Sequence, residues 1–173
     1  MKAFFNWKAF PVIPLFVMIV LMVMFAVSMM DDFCSAEEYV KGYVICQPGD
    51  YVYGREKASR KSEQIGYLET GDAIWTDGKS KNGYIHCVNS SFERDECWVY
   101  GGYIVFDEPK WMGGAIATVV SNGRLAARKN TTGDVRAWLK NGTEIQVFWY
   151  SNEWCVTNRG FVMTEYIELD GEG

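Results

Sequence analysis

The sequence predicts an all-β protein: two similar small β units in tandem, preceded by one hydrophobic N-terminal helix. Three observations carry this expectation. The stretch 65–75 recurs at 135–145, with Leu68 and Leu139 three positions before Gly71 and Gly142, and Ile74 and Ile145 three positions after them. The match extends outward. Val52-Tyr53-Gly54-Arg55 echoes Leu125-Ala126-Ala127-Arg128, and the segment from Trp98 to Ile104 echoes that from Phe161 to Ile167, so one unit is present twice. From Gly42 onward, short runs of Val, Ile, Tyr and Trp are punctuated by Gly, Asn and Asp, with no helical periodicity longer than a turn.

The N-terminus is of a different kind. Lys2 and Lys8 precede a nearly unbroken apolar run from Ala9 to Met30, which ends at Asp31-Asp32. Lysines before such a run place the N-terminus in the cytoplasm and the rest of the chain outside. Pro11 and Pro14 shorten the apolar helix, and both Ala26-Val27-Ser28 and Cys34-Ser35-Ala36 resemble small-residue cleavage sites. Residues 1–33 are therefore read as a signal peptide or membrane anchor. The protein is membrane-anchored through residues 9–30 with extracytoplasmic domains if the segment is retained, and secreted if it is cleaved. All 22 acidic residues and 15 of the 17 basic ones lie beyond Met30, a net charge of −7, which argues against nucleic acid as a partner.

Taken in order, residues 34–41 form a polar connector and 42–106 the first unit. There Tyr43–Cys46 and Tyr51–Tyr53 flank the turn Pro48-Gly49-Asp50. The polar loop Arg55–Gln64 leads into the repeated stretch, whose glycine supplies a tight turn between strands. Thr76–Gly83 reads as a second long turn before the hairpin Tyr84–Val88 and Cys97–Tyr103. Residues 107–114, with Pro109 and two glycines, read as a linker. The second unit, 115–169, repeats the plan with the turn Ser121-Asn122-Gly123, the loop Lys129–Asp134 and a tight hairpin at Asn158-Arg159. Leu68, Ile74, Ile85 and Val99 are the expected core of the first unit, and Leu125, Leu139, Ile145 and Val162 that of the second.

A register that sets Cys87 opposite Cys97 also sets Tyr84 opposite Tyr100, Ile85 opposite Val99 and His86 opposite Trp98. Period-two alternation then places Ile85, Cys87, Cys97 and Val99 inside, and Tyr84, His86, Trp98 and Tyr100 outside. That outer aromatic strip is the candidate binding platform for a sugar or peptide; its alternative role is to pack on the loop Arg55–Gln64 or on the other domain. A Cys87–Cys97 disulfide fits the same register and an extracytoplasmic location, and closing a loop of this size contributes about 2.7 kcal/mol in the chain-entropy model. Cys155, opposite Val162 in the place of Ile85, reads as a small buried apolar residue; a pairing of Cys34 with Cys46 stays open, but nothing in the pattern requires it.

Chemistry for catalysis is sparse in the sequence. The single histidine, His86, adjoins Cys87, but neighbours on a strand point to opposite faces and form no nucleophile–base pair. No C-x-x-C or second histidine suggests a metal, and no Gly-rich loop opens a helix for a nucleotide, so no metal or cofactor is expected.

The order apolar-x-x-Arg, polar loop, apolar residue three before Gly, aromatic-rich strand, then Trp/Phe-Val-x-x-x-Tyr-Ile resembles the bacterial SH3 (SH3b) domain, present twice. Gly54 and Ala127 inside the Arg motif, the long loop Asn89–Glu96 and the shortened last hairpin of the second unit depart from that pattern. The resemblance implies two SH3-like barrels without catalytic activity that bind peptidoglycan or other cell-wall material. The alternative is an extracytoplasmic protein-interaction or sensor module, with an envelope protein as partner.

Overall fold

The computed structural model describes residues 39–88, 92 and 96–170. The hydrophobic segment 1–33 and Cys34 lie outside the described residues. Among the described residues no helix is long and apolar enough to cross a membrane. The described chain is all-β, two seven-stranded antiparallel sheets within one compact unit.

The first sheet comprises β1 (Val40–Val44), β2 (Val52–Arg55), β3 (Gln64–Leu68), β4 (Ala73–Lys81), β5 (Tyr84–Val88), β6 (Glu96–Tyr100) and β7 (Ile104–Val105). The second comprises β8 (Lys110–Val119), β9 (Arg124–Arg128), β10 (Val135–Lys140), β11 (Glu144–Tyr150), β12 (Trp154–Thr157), β13 (Gly160–Met163) and β14 (Ile167–Leu169). Their strand orders, β3-β2-β6-β5-β4-β1-β7 and β10-β9-β13-β12-β11-β8-β14, are the same order shifted by seven. The duplication read in the sequence is thus a duplication of topology.

Shared local chemistry explains why. After β3 and β10 the chain reverses at Gly71 (φ +96°) and Gly142 (φ +77°), a conformation that side chains with a Cβ resist. Gly71 N–H donates to the Val44 carbonyl and Val44 N–H to that of Asp72; Gly142 and Val119 make the corresponding bonds, the latter to Thr143. Each turn is thereby sewn to the end of the first strand of its own repeat.

Each sheet also covers itself. Leu68 and Ile104, from opposite ends of the first strand order, are 1% and 6% exposed and belong to one core, and among the described residues no helical layer lies above them. In a flat sheet with strands about 4.8 Å apart they would be separated by roughly 29 Å. The sheet curls around its core instead, and the second does the same around Leu125, Leu139, Ile145, Val147 and Val162. Of the expected core residues only Ile85 differs: it is half-buried and packs against the rim of the first core.

Three boundaries differ from expectation. β1 begins at Val40, within the expected connector. The span Thr76–Gly83, read as a long turn, is mostly β4; the reversal is confined to Asn82 and Gly83 (φ 53° and 79°), a two-residue hairpin turn. The expected linker 107–114 is strand from Lys110 onward. Gly113 and Gly114 (φ +63° and +84°) bulge β8 rather than end it, since pairing runs Val147 to Ala115 and resumes at Trp149 with Trp111.

Two further features fix the architecture. Phe92, in the long loop between β5 and β6, sits in the first core above the paired glycines Gly54 and Gly66. A Cβ on either glycine would lie within 2.5 Å of the ring. Between the repeats runs an apolar seam of Ile45, Val105, Val156 and Phe161, flanked by Tyr43, Tyr103, Trp149 and Trp154. The seam is pinned by Gln47 Nε2 donating to the Thr157 carbonyl (3.2 Å) and by Thr131 N–H donating to that of Gly102 (3.0 Å).

Candidate functional site

The β5–β6 hairpin has the expected register: Tyr84 faces Tyr100, Ile85 faces Val99, His86 faces Trp98 and Cys87 faces Cys97. The outer strip nevertheless divides into two parts. His86 and Trp98 stand 5.1 Å apart, ring to ring, and His86 Nδ1 lies 3.0 Å from Asp77 Oδ2. Lys79 Nζ is 2.7 Å from the same oxygen, and the Asp77 side chain is only 4% exposed. Burial raises the Asp77 pKa, but hydrogen bonds from Lys79 and His86 outweigh it and hold the carboxyl down at about 2. This half of the strip is a charged clasp between β4 and β5.

The other half opens on a groove. Tyr84 and Tyr100 pack edge to face at 5.4 Å, and Tyr100 meets Tyr103 at 6.1 Å. With Tyr51 and Tyr53 from β2 and its approach, they line an open concavity of about 830 Å³, within the range of ligand pockets. Tyr84 is buried, not exposed as expected, because Tyr100 and the groove wall cover it. Arg55, Arg60 and Lys129 also line the groove, and among the described residues no acidic side chain does. Arg55 Nη1 donates to the Ser62 carbonyl (2.9 Å), so the arginine of the repeated motif clamps the polar loop to β2. Arg128 does the same with Gly133 (3.1 Å).

The groove, too, is duplicated. A second concavity of about 680 Å³ is lined by Arg124, Leu125, Ala126, Arg128, Met163 and Tyr166, the repeat counterparts of Tyr51, Val52, Tyr53, Arg55, Tyr100 and Tyr103. Trp138, 58% exposed, supplies its large ring. Sequence reasoning does not find the grooves, because their walls come from segments far apart in the chain. It does identify Phe161 and Met163 as the second unit's counterparts of the strip. Phe161 is fully buried in the seam, so in the second repeat that part of the strip packs on the first repeat.

The cysteines behave as core. Cys46, Cys87, Cys97 and Cys155 are free and buried. The expected Cys87–Cys97 disulfide is therefore not formed in the structure, although its register is: Cys87 Sγ turns along its own strand to donate to the Ile85 carbonyl (3.4 Å). Burial pushes the Cys97 thiol up to about 12 and raises Cys87 further, the opposite of what a nucleophile needs. Cys155, opposite Val162 as expected, is raised to about 11, again by burial. Among the described residues no group of three or more His, Cys, Asp and Glu side chains is placed to hold a metal.

No protein-family model and no curated protein matches the chain. Among solved structures it is similar to NlpC1 and NlpC2 from Trichomonas vaginalis, at 11% and 8% identity and a TM-score of 0.36 for each. The similarity covers 78% of this chain and 47% and 49% of theirs, so the chain spans about half the length of these proteins.

Proposed function

We propose that the chain is a non-catalytic binding protein of the cell envelope, its two curled sheets being SH3b-like barrels whose grooves bind peptidoglycan or other wall material. The observation that carries this reading is the groove itself, repeated at equivalent positions with aromatic walls and arginines. Side chains of that kind offer flat surfaces to a sugar or peptide backbone and cationic donors to carboxylates. Stem peptides of the wall bear both. The basic lining is selective rather than general, since the chain as a whole is acidic. The hydrophobic N-terminal segment supports the same reading, because it directs the rest of the chain to the extracytoplasmic side. Two grooves on one chain raise avidity when both engage.

Co-sedimentation of the protein with purified sacculi tests the reading. Wild type is expected in the pellet. Tyr100→Ala in the first groove and Trp138→Ala in the second are each expected to lower the bound fraction, and their combination to abolish it. Trp98→Ala, which alters the clasp beside the groove, is expected to have the smaller effect. Equal recovery of wild type and the double variant, both folded, would leave the grooves without a role in wall binding. A soluble wild type would favour an envelope protein as the partner.

A further inference from the structure

A separate cleft of about 300 Å³ lies between the repeats. One wall is the β1–β2 turn and the repeated turn of the first repeat, contributing Gln47, Asp50 and Glu69; the other is Trp111 and Trp149 of the second. The bulge at Gly113-Gly114 is what brings Trp111 opposite Trp149, ring centroids 4.8 Å apart. Phe148 backs Trp111 nearly parallel, at 6.4 Å and 19°. Trp111 is still 55% exposed, a large ring held in place from one side and open on the other.

The charge of this cleft is the reverse of the first groove's, and differs from the second's, where Glu165 stands with two arginines. Asp50 and Glu69 line it; among the described residues no cationic side chain does, and neither carboxylate has an ion-pair partner. Cys46 beside them registers the field: burial first, and then the charges of Asp50 and Glu69, raise its thiol above the ordinary range even though Thr70 hydrogen bonds pull the other way. Aromatic faces attract cations through the ring quadrupole, and two carboxylates at the same opening add to that attraction.

We infer that the cleft binds a cationic side chain carried on a peptide, with its ammonium or guanidinium group between Asp50, Glu69 and the indole faces. A neutral pyranose could stack on Trp111 equally well, but it would leave both carboxylates uncompensated. An anionic ligand would be repelled. The site stands on residues that neither groove uses, apart from Tyr51 at the shared rim, so it does not depend on the wall-binding reading.

The test uses the full chain labelled with fluorotryptophan, the resonances of its seven tryptophans assigned by single Trp→Phe variants. The probes are acetyl-lysine amide and its uncharged counterpart, acetyl-norleucine amide. Expected is saturable movement of the Trp111 and Trp149 resonances with the lysine probe alone, while Trp138 stays fixed. Combining Asp50→Asn with Glu69→Gln is expected to weaken the effect about tenfold, equivalent to about 1.4 kcal/mol, and added salt to weaken it as well. Equal movement with the norleucine probe, or movement with N-acetylglucosamine but not lysine, would overturn the inference. So would fixed resonances throughout, or shifts that follow protein concentration without any probe and so place a second copy in the cleft. No wall material enters this experiment, so its failure and that of the sedimentation test remain distinguishable.

Discussion

The two repeats fill the same space by different means. In the first, Gly54 and Gly66 face each other across β2 and β3, and the ring of Phe92 occupies the volume above them. In the second, Ala127 and Ala137 face each other at the equivalent place and the β12–β13 hairpin closes in two residues, with no loop to send an aromatic back. The glycine inside the first Arg motif and the long loop after β5 are therefore one feature: the loop supplies the side chain for which the glycines leave room. A second contrast lies one strand away. Asp77, buried against Lys79 and His86, has Phe148 as its counterpart, which packs on Trp111 instead.

These contrasts can be broken one at a time. Phe92→Ala should have the largest effect, because it empties a core site 9% exposed whose floor has no side chains to collapse inward. A loss of about 3 kcal/mol is expected in denaturant unfolding. A loss under about 1 kcal/mol would show that the loop is not an integral part of the core. Gly66→Ala is expected to cost about 2 kcal/mol by pushing the ring outward. Made in the Phe92→Ala background it should cost less or even stabilise, since the first repeat then adopts the solution of the second; additive losses would refute the pairing of loop and glycines.

The acid response should belong to the first repeat. The Asp77 pKa in the folded state, about 2, is below its ordinary value of 3.8. The clasp therefore contributes stability above the ordinary value and loses it as the pH falls through 3.8 toward 2. Asp77→Asn should flatten the acid limb of a stability–pH curve, and an unchanged slope would assign the response to other carboxylates. The smallest effect is expected from Ala137→Gly, about 1 kcal/mol by the added freedom of the unfolded chain and the lost methyl. A much larger loss would mean that the second repeat depends on its alanine pair as heavily as the first does on its ring.

Much of the framework is legible from the chain because it is local or periodic. The turns at Gly71 and Gly142, the arginines at Arg55 and Arg128, the hairpin register and the placement of Cys155 opposite Val162 all come from spacing. Features that join distant segments are not legible. Phe92 is a single ring within a polar stretch, and only the facing of Gly54 with Gly66 marks its destination. Gly113-Gly114 reads as linker when the continuation of pairing beyond it is unknown. Alternation puts Tyr84 on the correct face of its strand, yet it is covered by neighbours that come from elsewhere. The groove walls combine β2, the segment after β6 and a loop, so the strip on the hairpin reveals only one of their sides.

The seam of Ile45, Val105, Val156 and Phe161 also governs how the molecule melts. Its residues are at most 4% exposed, so neither repeat can unfold alone without presenting the other's apolar face to water. Nearest-neighbour coupling of this kind merges two small transitions into one. Any ligand that bound one repeat would then lower the free energy of the folded pair as a whole, and the protection would spread to amides in the repeat that holds nothing.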